Sequence, residues 1–167
     1  RYVRPGTEVL YTLVSKPKTT ESPKMTNTLA EITTWHQRAR PTPTLGDMGV
    51  QLGCHLEEVV EMLRSFEQTI AVSDAAEYVE RLADLWKAGT HYPVIKDREE
   101  LLDSLADQIV TAVGVGHCAH MDVTEACLRV NDSNWSKFDA LGYPIFNEHG
   151  KIAKGPRYVQ PDLFGLF

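Results

Sequence analysis

Residues 52–63 read LGCHLEEVVEML. The apolar residues Leu52, Leu56, Val59, Val60 and Leu63 recur at steps of three and four, the spacing of one face of an α-helix. The same stretch carries Glu57, Glu58 and Glu61. Glu58 and Glu61 lie three apart and Glu57 and Glu61 four apart, so they are neighbours on the helix surface and repel by about a few tenths of a kcal/mol per pair. A helix that collects negative charge beside its apolar stripe either shows that charge to water or holds it against something positive.

Working outward, the stripe continues to Phe66 and predicts a helix over about 48–68, preceded by the breaker PTPTLGD at 41–47. Upstream, TNTLAEITTWHQRAR predicts a first helix, capped by Asn27 or Thr28. Downstream, Ser73 is a candidate N-cap for a third helix ending near Ala88, with Gly89 as its stop. After the loop GTHYPVIKD, a fourth helix is expected from near Asp97 through REELLDSLADQIVTAVGVGHCAHM, and a shorter fifth over DVTEACLRVNDSNWSKF. From about residue 139 the chain is rich in Gly, Pro and aromatics, and NEHG in YPIFNEHGKI reads as the turn of a small hairpin. The expected fold is all-α, an antiparallel bundle of four or five helices with an irregular C-terminal tail. Residues 1–24 are basic, rich in Thr and Pro, and hold one β-like run, TEVLYTLV; they are read as a dispensable extension before a domain of 25–167 that starts at Met25.

A length of 167 residues suffices for one domain with a core, and 43% hydrophobic with 24% charged residues is an ordinary globular balance. The net charge of −6, without a basic run, argues against a nucleic-acid partner. Three widely spaced cysteines, Cys54, Cys118 and Cys127, suit reduced thiols and a cytoplasmic setting. No apolar run approaches the ~20 residues of a membrane span, and no signal-peptide pattern opens the chain.

The fourth helix repeats the oddity of the second. Asp103 and Asp107 are four apart among Leu101, Leu102, Leu105, Ile109 and Val110. If helices two and four pack side by side, four or five carboxylates converge, and at low dielectric such a cluster needs a cation. Oxygen ligands without matching Cys or His suit Mg²⁺ or Mn²⁺ rather than Zn²⁺. The plainer alternative is two solvated faces. In NDSNWSKF, residues 131–138, a run of amide and hydroxyl groups ends in Lys137, a composition suited to a phosphate chain; a polar, capped helix end is the alternative.

Other features carry less. HCAH at 117–120 lacks a second ligand pair for zinc, and GVGH is not a phosphate loop because it has no G-K-[ST]. Gly114 and Gly116 suit close helix approach. Trp35 and His36 suit a stacked base or simply the core; Gln51 suits a base edge or plain surface; KGPRY at 154–158 suits a flap over a site or tail packing. Cys54 has no base beside it that would make it a nucleophile.

Together these residues resemble the MazG-like all-α nucleoside triphosphate pyrophosphohydrolases, a superfamily that includes the phosphoribosyl-ATP pyrophosphohydrolases. EEVVE at 57–61 matches the family's E-E-x-x-E in full. DSLAD at 103–107 matches the later E-E-x-x-D with a departure: Ser104 stands where a metal-binding Glu is usual, and Asp103 is the nearest acid. VNDSNWSKFD and GKIAKGPRYVQPDL look like the bacteriophage version. The resemblance spans roughly residues 29–163.

It implies hydrolysis of a (deoxy)nucleoside triphosphate between the α and β phosphates, with purines and dGTP favoured, in nucleotide-pool control. Two or three Mg²⁺ or Mn²⁺ ions would be held by Glu58, Glu61, Asp107 and Asp103, with Glu57 and Glu58 as the catalytic acids and Glu57 or a metal activating water. Asn134 and Lys137 would hold phosphates, with Asn131, Gln51 and Lys154 as further nucleotide contacts. A homodimer or homotetramer in the host cytoplasm would follow, its contact built on helices two and four. The other readings are the same fold acting on phosphoribosyl-ATP or another nucleotide, and a non-catalytic helical oligomerisation module whose acids face water.

Overall fold

The computed structural model describes residues 27–89 and 92–167, and the expected extension at 1–24 lies outside them. Among the described residues five helices follow one another: α1 (Thr28–Ala39), α2 (Leu45–Arg64), α3 (Ile70–Lys87), α4 (Arg98–Cys118) and α5 (Val123–Trp135). Each starts at a side chain that satisfies an orphan backbone N–H. Asn27 Oδ1 accepts from Ala30 N at 3.2 Å, Asp97 Oδ1 from Glu99 N at 3.0 Å, and Asp122 Oδ1 from Glu125 N at 2.9 Å. The expectation of an all-α fold holds for the described residues.

Two helix starts differ from the sequence reading. α2 begins at Leu45 rather than near 48, because Thr44 and Asp47 form a reciprocal capping box: Asp47 N donates to Thr44 Oγ1 at 3.2 Å and Thr44 N to Asp47 Oδ2 at 2.8 Å. α3 begins at Ile70, capped by Thr69, one turn before the expected Ser73. Gly89 stops α3 as expected, at φ +66°.

α2 and α3 form the main helix pair, joined by residues 65–69. Gly53 makes their close approach possible: a Cβ there would lie 2.6 Å from Lys87 Cγ and 2.7 Å from the Ala83 carbonyl oxygen. Val60, Ala76 and Ala83 are buried with it. α5 packs on α1 and on α4. At the α1–α5 end, Trp35 stacks on Phe138 (5.8 Å, 14°) beside Ala39 and Ile152, so Trp35 is a core residue and not an open platform for a base. Gly116 lies against Val123 of the same chain, whereas Gly114 faces open space.

Helices two and four do not meet the condition of side-by-side packing under which their acids would converge. α4 packs on α5, and among the described residues it meets α2 through a side-chain hydrogen bond between His55 and Gln108. Much of the apolar surface of α4 therefore stays open, with Leu102 70% and Val110 67% exposed.

The tail folds back as two short antiparallel bridges, Phe138 with Pro144 and Phe146 with Ile152. The expected turn is present. Asn147 N donates to Lys151 O at 2.9 Å, Gly150 N donates to Asn147 O at 3.0 Å, and Gly150 takes φ +73°. Arg40 fastens this turn to the start of α2. Its guanidinium donates to the Gly150 carbonyl, pairs with Asp47 at 2.9 Å and lies 4.0 Å over the Phe146 ring. Among the described residues no helix is long and apolar enough to cross a membrane.

Candidate functional site

The acids of α2 meet lysines from three other parts of the chain. One turn beyond the Gly53 contact, Glu57 Oε1 lies 3.4 Å from Lys87 Nζ at the end of α3. Its Oε2 lies 2.5 Å from Lys151 Nζ, just past the tail turn. Lys87 also pairs with Asp84 at 3.1 Å. Partial burial pushes the Glu57 carboxyl up, but the hydrogen bonds and charges of Lys151 and Lys87 together outweigh it and hold the group below the usual Glu range.

Glu58 moves the other way. Desolvation, followed by the neighbouring charges of Glu61 and Glu57, raises its pKa, against weaker pulls from Lys151 and Lys137. Lys137, half-buried after α5, has its pKa lowered by desolvation and by the like charges of Lys154 and Lys151. Its ammonium donates to Asn134 Oδ1 at 2.6 Å. Lys154 lies 4.9 Å over the Tyr158 ring. Among the described residues neither Lys137 nor Lys154 has a carboxylate partner. A groove of about 320 Å³ opens at the edge of this cluster, with Glu57, Asp84, Lys87, Asn147, His149 and Lys151 in its wall. A larger cleft of about 400 Å³ lies elsewhere, beside Arg38, Trp135 and Arg157; the groove at the acids is the better candidate because opposite charges converge there.

The other expected site residues divide. Asn134 and Lys137 join the cluster, Lys154 stands at its rim, and Gln51 is exposed about two turns before the acids on α2. Asn131 is buried at 2% exposure, inside the fold rather than on an open surface. Ser133 and Ser136 tether the tail: Ser133 Oγ donates to Val159 O at 2.7 Å, and Val159 N donates to Ser136 Oγ at 2.8 Å. Asp103 and Asp107 are exposed on α4, which does not pack on α2. Among the described residues no three His, Cys, Asp or Glu side chains are placed to share a metal ion. The acids of a single chain thus do not by themselves fit a resident metal: Glu58 and Glu61 stand on α2, and Asp103 and Asp107 on α4, which packs on α5 rather than on α2.

The sequence reading missed Lys87 and Lys151. Lys87 is marked only by ending α3, and Lys151 only by following a turn glycine; the long-range contacts that bring both to Glu57 leave no spacing signal. Cys54, beside the acids, is raised first by burial and stays a thiol. The chain matches no protein-family model, no curated protein and no solved structure.

Proposed function

We propose that the chain is a nucleoside triphosphate pyrophosphohydrolase that releases monophosphate and pyrophosphate. The observation that carries this reading is the meeting of the Glu57–Glu58–Glu61 stripe with Lys137, Lys151 and Lys154, which supplies an acidic and a cationic side to one site. A triphosphate needs the cationic side to hold its β and γ phosphates, and the acidic side to handle the attacking water. Glu58 is the better base. Its raised pKa favours taking a proton, whereas Glu57 is tied to two lysines and held ionised. In the proposed reaction the water oxygen bonds to the α phosphorus, its proton passes to Glu58, and the bond from that phosphorus to the bridging oxygen breaks as pyrophosphate leaves. Lys137, positioned by Asn134, steadies the charge on the leaving group.

Dependence on Mg²⁺ or Mn²⁺ belongs to the proposal, on the strength of the oxygen-only acids and the family resemblance. So do the preference for purine deoxynucleotides, dGTP first, a role in nucleotide-pool control and a cytoplasmic setting. The test is a nucleotide panel with Mg²⁺, read by chromatography. Monophosphate with pyrophosphate is expected, and excess EDTA should abolish it. Diphosphate with orthophosphate would reject the reading. Turnover of phosphoribosyl-ATP alone would move the substrate and keep the chemistry.

The exposed apolar side chains of α4 favour a homo-oligomer. Leu102, Ile109, Val110 and Val113 are between 44% and 70% exposed, more apolar surface than one helix of a lone chain comfortably shows to water. C2 pairing is the commonest way to cover such a face. Light scattering is expected to give an even number of subunits; a monomer with full activity would reject assembly as a requirement.

A further inference from the structure

We infer that Lys151 is a phosphate-binding residue of this site, that Glu57 is its counterion only until substrate arrives, and that Arg40 positions it. The inference rests on the proposed triphosphate chemistry. It begins from the groove of about 320 Å³, whose wall sets Lys151 and Lys87 beside Asn147 and His149, with Glu57 as the carboxylate that both lysines share. A ligand with several negative oxygens that enters this groove meets Lys151 at its wall, with Lys137 and Lys154 near enough to act on the same charges.

Glu57 can release Lys151 without being left bare. Its two oxygens serve different lysines: Oε2 faces Lys151 at 2.5 Å and Oε1 faces Lys87 at 3.4 Å. When Lys151 turns to a phosphate, Lys87 still neutralises Glu57, so the exchange strands no partly buried charge. Lys151 is exposed and its stem is flexible, so a small rotation changes its partner.

The backbone that carries Lys151 is fixed. Gly150 immediately precedes it, and the Gly150 carbonyl accepts from Arg40 Nη2. Arg40 is itself held by Asp47 at 2.9 Å and by the Phe146 ring. Asp47 is locked in the α2 capping box. One helix thus carries both the anchor of the turn, at its first residues, and the acid that Lys151 meets, ten residues on and about 15 Å along the axis. Arg40 acts through the turn and is a positioning residue.

The test is calorimetric titration of inorganic tripolyphosphate into the full chain at low salt with EDTA, which reads binding without metal or hydrolysis. Lys151→Met is expected to weaken binding at least about tenfold, the scale of one charge-assisted hydrogen bond. Arg40→Met should weaken it in the same direction, and the double variant should be no weaker than Lys151→Met, since both act through one group. Glu57→Gln should tighten binding several-fold by removing the competing carboxylate, an effect opposite to that of damaging a structural ion pair. Unchanged affinity in Lys151→Met, or weaker binding in Glu57→Gln, would overturn the role of Lys151; additive losses in the double variant would overturn that of Arg40. Tripolyphosphate binding with this pattern in a chain that hydrolyses no nucleotide would leave this inference standing and remove the hydrolase reading.

Discussion

Glu58→Gln is expected to cut turnover by at least about 100-fold, the usual scale for a group that handles the proton in the transition state, and at the same time to raise the melting temperature of the metal-free protein at neutral pH. Both follow from one environment. The Glu58 carboxylate is partly desolvated and flanked by Glu61 and Glu57, which raises its pKa. A carboxyl whose folded pKa lies above its unfolded one stabilises the fold most at pH below the unfolded value. That contribution is lost as pH rises through the folded value, so at pH 7 the ionised group is a liability. Glutamine keeps the shape and removes the charge. Glu57→Gln should do the reverse to stability. Glu57 is held ionised by Lys151 and Lys87, its pKa is lowered, and its contribution is present above the unfolded pKa and lost as pH falls through the folded one. Two adjacent glutamates are therefore expected to shift the melting temperature in opposite directions at pH 7, and the difference should shrink towards pH 4. Melting curves of both variants at pH 7 and pH 4 decide it. A fall in melting temperature for both at pH 7 would show that the charge pattern of α2 is misread, and normal turnover in Glu58→Gln would remove it from the chemistry.

How far the sequence could be read depended on the range of the interactions. α4 and α5 were legible because periodicity and caps are local: Asp97 and Asp122 stand just before their first turns. α2 was misplaced at its start because PTPTLGD at 41–47, with two prolines and Gly46, looks like a breaker, whereas the Thr44–Asp47 box starts the helix within it. Gly49, inside the expected helix, is buried 3.5 Å (measured from a Cβ built on it) from the Trp86 carbonyl oxygen, so helix contact explains it. The acid stripe was visible as a local spacing. Its cationic side was only half visible: Lys137 follows a polar run that draws the eye, whereas Lys87 and Lys151 reach Glu57 across 30 and 94 residues of chain. Which helix α2 would choose was not legible at all. Both α3 and α4 offer apolar stripes, and the contact made is the one in which Gly53 lets α2 approach the Ala83 carbonyl and Lys87.

That choice leaves Asp107 as the sharpest question, and Asp107→Asn is expected to cost at least about 100-fold in turnover, as Glu58→Gln does. In the single chain Asp107 is exposed and forms no metal-holding cluster with the α2 acids. Its neighbour Gln108, however, already bonds His55, and His55 lies three residues before Glu58, one turn away on the same side of α2. The apolar residues of α4, from Leu102 to Val113, still lack cover. An assembly that covers them is the event that would draw α4 onto α2 and bring Asp107 towards Glu58 and Glu61. The loss in Asp107→Asn should therefore appear in turnover with the helical content and subunit number unchanged, measured by circular dichroism and light scattering beside the kinetics. Asp103→Asn separates the two acids of α4: no effect there, with a large one at Asp107, means that the smaller acid set suffices without the residue beside Ser104. Near-normal turnover in Asp107→Asn would leave the chemistry to the acids of α2 and their lysines alone.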